Sequence, residues 1–151
     1  MKDLVNFMYL LKESYLKAVT GVCQKYNLTS AEFDVLMFLA NSPEYDTAKD
    51  IVEKRCIAKS HVSMSVKALE AKQYLERKYK NNNRRTVHLE ICDLAKDVIR
   101  EGKAAQDNFY EIILKGFSKQ DIENIKQNID MMLKNMGQFV EGIVQIYGMA
   151  D

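Results

Sequence analysis

Apolar residues recur along this chain in steps of three and four, the period that places them on one side of a helix. Leu4, Met8, Leu11, Tyr15, Ala18 and Val22 form the first such series and predict a helix with a single buried stripe. Thr29 with Glu32 three residues on makes a capping box, in which each side chain satisfies a backbone N–H of the other's turn. Phe33, Leu36, Met37 and Ala40 then keep helical spacing. A second helix is therefore expected from about Ser30 to Asn41, stopped by Asn41-Ser42-Pro43. Thr47 and Asp50 make a weaker box opening a short helix, Ala48 to about Lys54.

The link Arg55-Cys56-Ile57 leads into a fourth helical pattern, Ala58 to about Lys72, whose apolar stripe is Val62, Val66 and Leu69. Its opposite stripe is Ser60, Ser63, Met64 and Lys67, with Lys59 and His61 beside the helix start. Two short helices joined this tightly predict a helix-turn-helix. The period then changes. Tyr74 to Tyr79 and Thr86 to Ile91 alternate around an Asn-rich turn, the pattern of a β-hairpin whose tip carries Arg84 and Arg85.

Helical spacing returns after Cys92 in Ala95, Val98, Gly102, Ala105, Phe109 and Ile112, with Gly116 placed to end it. Ser118 and Asp121 cap a final helix. There Ile122, Ile125, Ile129, Met132, Met136, Phe139, Ile143 and Ile146 hold a strict three-four alternation, a long seam to be packed against other helices. The expected fold class is mainly α with one small β-hairpin wing, a winged helix-turn-helix with N- and C-terminal helices. A chain of 151 residues with one Pro and six Gly is expected to form a single domain, 1–151.

No apolar run long enough to span a membrane and no basic-then-apolar leader pattern is evident, which predicts a cytoplasmic protein with no membrane partner. Cys23, Cys56 and Cys92 are odd in number and widely spaced, so neither a disulfide framework nor a zinc cluster is indicated. Two histidines, His61 and His88, are too few for a His-rich metal site, and no metal or other cofactor is expected.

Formal net charge is only +1, but it is segregated. Between Lys54 and Arg85 ten basic residues stand against two acidic ones, a local +8. A charged solvated face is one reading of such a run. The other is contact with double-stranded DNA. An α-helix fits the major groove, where hydrogen-bonding or compact apolar side chains near its N-terminus read base edges. Ser60, His61 and Ser63 donate and accept, Met64 suits a thymine methyl, and Lys67 reaches a phosphate or guanine, with Lys59 alongside. Arg84 and Arg85 on a slim hairpin suit the negative potential of a minor groove, and Arg77, Lys78 and Lys80 suit phosphates. No Gly-rich phosphate loop, nucleophile elbow or metal-ligand pair appears, so an enzyme is not expected.

These residues carry a family likeness. Leu28-Thr29 with Glu32, Phe33 and Leu36, the run Ile57 to Ser63, the run Val66 to Lys72, and Arg84-Arg85-Thr86-Val87 resemble the MarR family, the multiple-antibiotic-resistance type of bacterial winged-helix regulators. The resemblance implies a DNA-binding lobe at 28–91, flanked by dimerisation helices at 1–26 and 92–148. It further implies a homodimer on a pseudo-palindromic operator, acting as a repressor released by a small-molecule or redox signal. The alternative is a winged-helix protein-interaction module without DNA binding.

Several positions depart from the family's pattern: Ala58 where Ser often caps the recognition helix, Gln73 where Gly often follows it, Asn83 where Asp often precedes the wing arginines, Met64 where Arg is frequent, and Ile91-Cys92-Asp93 for Leu-Thr-Glu. Family effectors are often small aromatic compounds, for which Tyr9, Tyr15, Phe33 and Phe38 are pocket candidates and equally core candidates. Some members sense oxidants through a first-helix cysteine, which raises Cys23, although a small buried hydrophobe is the commoner role for such a residue. Cys92, near a helix N-terminus, is better placed for a thiolate.

Overall fold

The computed structural model describes residues 2–55, 57–80 and 85–147, with side chains in the last helix as far as residue 137. Helices α1 (Lys2–Lys25), α2 (Ser30–Asn41), α3 (Ala48–Arg55) and α4 (Lys59–Ala71) precede strands β1 (Leu75–Lys78) and β2 (His88–Ile91). A single 3-10 turn, Asp93–Ala95, leads into α5 (Lys96–Ile113), and α6 spans Lys119–Tyr147. The chain divides into two compact units, one ending at Tyr110 and the other beginning at Glu111.

The predicted caps are present where the sequence placed them. Thr29 Oγ1 accepts from the Glu32 N–H at 3.1 Å while Glu32 accepts from the Thr29 N–H at 3.2 Å. Thr47 with Asp50 and Ser118 with Asp121 repeat the arrangement at α3 and α6. Each box satisfies N–H groups that a helix start leaves without intrahelical partners. Ends are set as sharply. Asn27 (φ 50°) closes α1 and Gln73 (φ 58°) closes α4, each followed by an N–H reaching five residues back, Leu28 to Cys23 and Tyr74 to Leu69. Asn tolerates this left-handed geometry, but Gln there costs about 1 kcal/mol, which accounts for the Gly that the resemblance led one to expect.

Helix α2 is the centre of the first unit. Phe33 and Val35 through Leu39 are all buried, so this helix is enclosed on nearly every side. Ile51 of α3, Val62, Val66 and Leu69 of α4, and Leu75 and Leu89 of the hairpin close over it, joined by Val19 of α1, Ala95 of the 3-10 turn and Val98 of α5. Gly102 lets α5 approach: a Cβ there would meet Met37 Sδ at 2.7 Å and the Phe33 ring at 3.0 Å. β1 and β2 pair antiparallel in the register Leu75 with Ile91 and Lys78 with His88. The Leu89 N–H also donates to the Asp46 carbonyl at 2.7 Å, which fastens β2 to the loop between α2 and α3.

The expected α1 stripe is only half realised. Val19 and Cys23 are buried and Tyr15 and Val22 partly so, but Leu4 and Met8 are 48% and 61% exposed, and Phe7, Tyr9 and Leu10 are exposed with them. Among the described residues nothing covers the first half of this helix. In the second unit Ile122 and Ile125 are partly buried while Ile129, Met132 and Met136 are exposed. Phe139, Ile143 and Ile146 belong to the same predicted seam, but their side chains lie outside those described.

Candidate nucleic-acid interface

Helix α4 separates its two faces as its sequence requires. Val62, Ser65, Val66 and Leu69 are buried, and Lys59, Ser60, His61, Ser63, Met64 and Lys67 are all exposed. At the helix start Ala58 (φ −57°, ψ 137°) offers no side-chain acceptor, so no side chain caps the first-turn N–H groups. Two serines, a histidine and an exposed methionine stand on this face near a positive helix end, beside two lysines with no carboxylate partner among the described residues. A short polar face of this kind is able to enter a groove and exchange hydrogen bonds with base edges.

The hairpin behaves differently, because its cations are engaged within the chain. Arg77 Nε donates to Glu70 Oε1 at 2.8 Å, back onto the last turn of α4. Lys78 Nζ lies 2.9 Å from Glu90 and 3.0 Å from Glu76, and these two carboxylates raise its pKa, Glu90 most. Lys80 pairs with Asp46, whose other oxygen is 2.6 Å from His88 Nδ1. Burial pushes the Asp46 carboxyl upward, but the bonds from Lys80 and His88 outweigh it and leave the group below the usual carboxylate value. Arg85 is exposed and has a partner within the chain. Arg84 lies outside the described residues.

The sequence count of +8 therefore overstates the free positive charge. Carboxylates from outside that window, Glu32, Asp34, Asp46 and Glu90, fold back onto Lys72, Arg55, Lys80 and Lys78. Lys54 and Arg55 also rest over the rings of Tyr45 and Phe38, 4.8 and 5.2 Å from the centroids. Sequence reasoning missed Asp46 altogether and read Glu32 only as a cap. Its carboxylate also holds Lys72 at 2.9 Å, joining the end of α4 to the start of α2. These partners are separated by 34 to 42 residues, and no local pattern announces them.

The aromatic pocket candidates do not assemble. Phe33 and Phe38 are core, Tyr9 lies on the exposed part of α1, and Tyr15 accepts a hydrogen bond from Gln106 Nε2 at 2.6 Å, with Gln106 in turn taking one from Asn41. Two hollows among the described residues lie elsewhere. One of about 330 Å³ is lined by Leu39, Pro43, Asp46, Lys80, His88 and Leu89 among others, and one of about 360 Å³ lies along α1 beside Val19, Cys23 and Leu28.

The cysteine expectation is corrected. Desolvation raises the Cys92 thiol, and the Glu76 and Glu90 carboxylates raise it further, so the helix-start position does not yield a thiolate. Cys23 is buried and likewise raised by desolvation, as a small core side chain. Cys56 lies outside the described residues. Among those described, no group of three or more His, Cys, Asp or Glu side chains could hold a metal ion, and no helix is long and apolar enough to cross a membrane.

Comparison with known proteins agrees with this arrangement. A family model described as "MarR family" matches residues 26–85, which contain α2, α3, α4 and β1. The transcriptional regulator AdcR of Streptococcus pyogenes is 24% identical over 140 residues, covering 90% of this chain and 94% of that protein. A MarR family transcriptional regulator from Listeria monocytogenes, solved in complex with 26mer DNA, superposes with a TM-score of 0.82 at 15% identity, over 94% of this chain and 93% of its own. CouR from Rhodococcus jostii, solved bound to p-coumaroyl-CoA, gives 0.73 at 15% identity, over 86% of this chain and 91% of its own.

Proposed function

We propose that this chain is a transcriptional regulator of the MarR family, whose model matches residues 26–85, and that it binds DNA sequence-specifically as a homodimer on a pseudo-palindromic operator, as a cytoplasmic repressor released by a small molecule. The observation that carries this reading is the exposed face of α4. Ser60, His61, Ser63 and Met64 meet base edges in the major groove, and Lys59 and Lys67 meet phosphate or guanine beside them. Arg77, Lys78 and Lys80 meet phosphates, with Arg84 and Arg85 delivered to a minor groove. A bare N-terminus on α4 suits a phosphate, which would take the place of the missing Ala58 cap.

Dimerisation is supported by the exposed apolar side chains on the first half of α1 and along α6, which a second copy would take out of water. A two-fold dimer presents two recognition helices, and successive major grooves on one face of a duplex are about 34 Å apart. The ligand in the CouR structure favours a small-molecule signal, and the neutral thiols of Cys23 and Cys92 disfavour a redox one. Regulators among the relatives support a non-enzymatic role.

Selection of duplexes from a randomised pool, repeated over a salt series, tests the reading: a recovered consensus with inverted half-sites supports it, because phosphate attraction alone selects none. The self-pairing of the wing cations favours the other reading, a winged-helix protein-interaction module. A monomeric chain with no preference for any duplex over a polyanionic competitor would establish that alternative.

A further inference from the structure

We propose that Asp46, in the loop between α2 and α3, is a positioning residue for DNA binding: it fixes the wing relative to the recognition helix by gripping Lys80 and His88 with its carboxylate and β2 with its carbonyl. This rests on the DNA-binding reading above. Three bonds converge on this one residue. Oδ2 accepts from Lys80 Nζ, Oδ1 lies 2.6 Å from His88 Nδ1, and the backbone carbonyl takes the Leu89 N–H at 2.7 Å. Lys80 follows β1 and His88 opens β2, so the carboxylate bridges both arms of the hairpin just below its turn.

Asp46 itself lies one residue before the Thr47–Asp50 box that starts α3. The grip therefore transmits the orientation of the helix-turn-helix to the wing. The two-stranded hairpin has no third strand among the described residues, and a two-stranded ribbon alone is marginally stable in water. Its base is held by Leu75 and Leu89 in the core, but Lys78, Tyr79 and Lys80 are exposed, and Asp46 ties the hairpin at Lys80 and His88, on the turn side of those core contacts.

Charge and position predict opposite signs for one substitution, which makes the inference decidable. Asp46→Asn removes a negative charge from a surface facing phosphates, and electrostatics alone would then strengthen binding and steepen its salt dependence. If the carboxylate positions the wing, affinity falls instead, about tenfold, and the salt dependence becomes shallower as wing contacts are lost. The experiment measures binding of full-length wild type and Asp46→Asn to a duplex the wild type has selected from a randomised pool, with circular dichroism confirming that the variant is folded.

His88→Ala provides a second variant and should lower affinity in the same direction. His88→Gln, which keeps a donor, should restore most of the loss, a rescue that general destabilisation would not give. Undiminished binding by Asp46→Asn, or by His88→Ala, overturns the positioning role while leaving DNA binding intact. A wild-type chain that selects no duplex overturns the DNA-binding reading itself.

Discussion

On α4, Lys59 and Lys67 stand in solvent with no carboxylate beside them among the described residues, whereas on the wing Arg77, Lys78 and Lys80 are each held by one or two. Both regions read as basic in the sequence, yet they present themselves to a polyanion in different states. A free ammonium gains a phosphate by displacing water and counterions, while a paired one must first leave or share its carboxylate. The recognition helix is thus predicted to supply most of the phosphate attraction, and the wing to act more through shape than through net charge.

The sharpest way to break that contrast is to remove the free lysines. Lys59→Ala with Lys67→Ala should lower duplex affinity roughly tenfold or more at moderate salt and reduce the slope of log affinity against log salt by about 2. An unchanged slope in a fluorescence-anisotropy titration would show that the lysines of α4 never reach phosphate.

Asp46 gives a contrast in pH. Its folded-state pKa lies below the ordinary value, so the ionised group stabilises the fold. That contribution is present above the unfolded carboxylate value of about 4 and is lost as pH falls through the lower folded value. Asp46→Asn should therefore lower the thermal midpoint at neutral pH, by the equivalent of about 1 kcal/mol, with the gap closing in acid. A gap that widened on acidification would contradict the assignment.

Gln73 sits at the joint between the two regions, in a left-handed conformation. Gln73→Gly should stabilise the chain by about 0.5–1 kcal/mol in chemical denaturation, with the strain relieved partly offset by greater freedom in the unfolded state.

Smaller still is the effect expected for the paired wing cations. Arg77→Ala with Lys78→Ala should lower affinity by only about threefold, because their phosphate contacts must compete with Glu70, Glu76 and Glu90. A loss matching that of the α4 lysines would mean the wing releases its carboxylates on binding. For the thiols no effect at all is expected: in a Cys56→Ser background, Cys23 and Cys92 should stay unmodified by mild peroxide, read by intact mass, since both thiols are held neutral.

Much of the fold was legible from local rules. The Thr29–Glu32 box, the Val62-Val66-Leu69 stripe and the alternation through Leu75 and Leu89 each involve neighbours a few residues apart, and each reappears in the structure. The candidate base-reading face was legible for the same reason, since residues opposite a buried helical stripe have no other place to go. The first half of α1 looked as buried as the second, because a periodic stripe shows that a side is apolar without showing whether the same chain covers it.

Sequence alone determined the order of helices and hairpin, the faces they bury and the chemistry that α4 exposes, because these depend on spacing within one element. Tertiary structure decided the electrostatic state of that chemistry. Glu32 and Asp46 neutralise Lys72 and Lys80 only once folding brings together positions that no periodicity relates, and a charge acts according to its neighbours in space rather than along the chain.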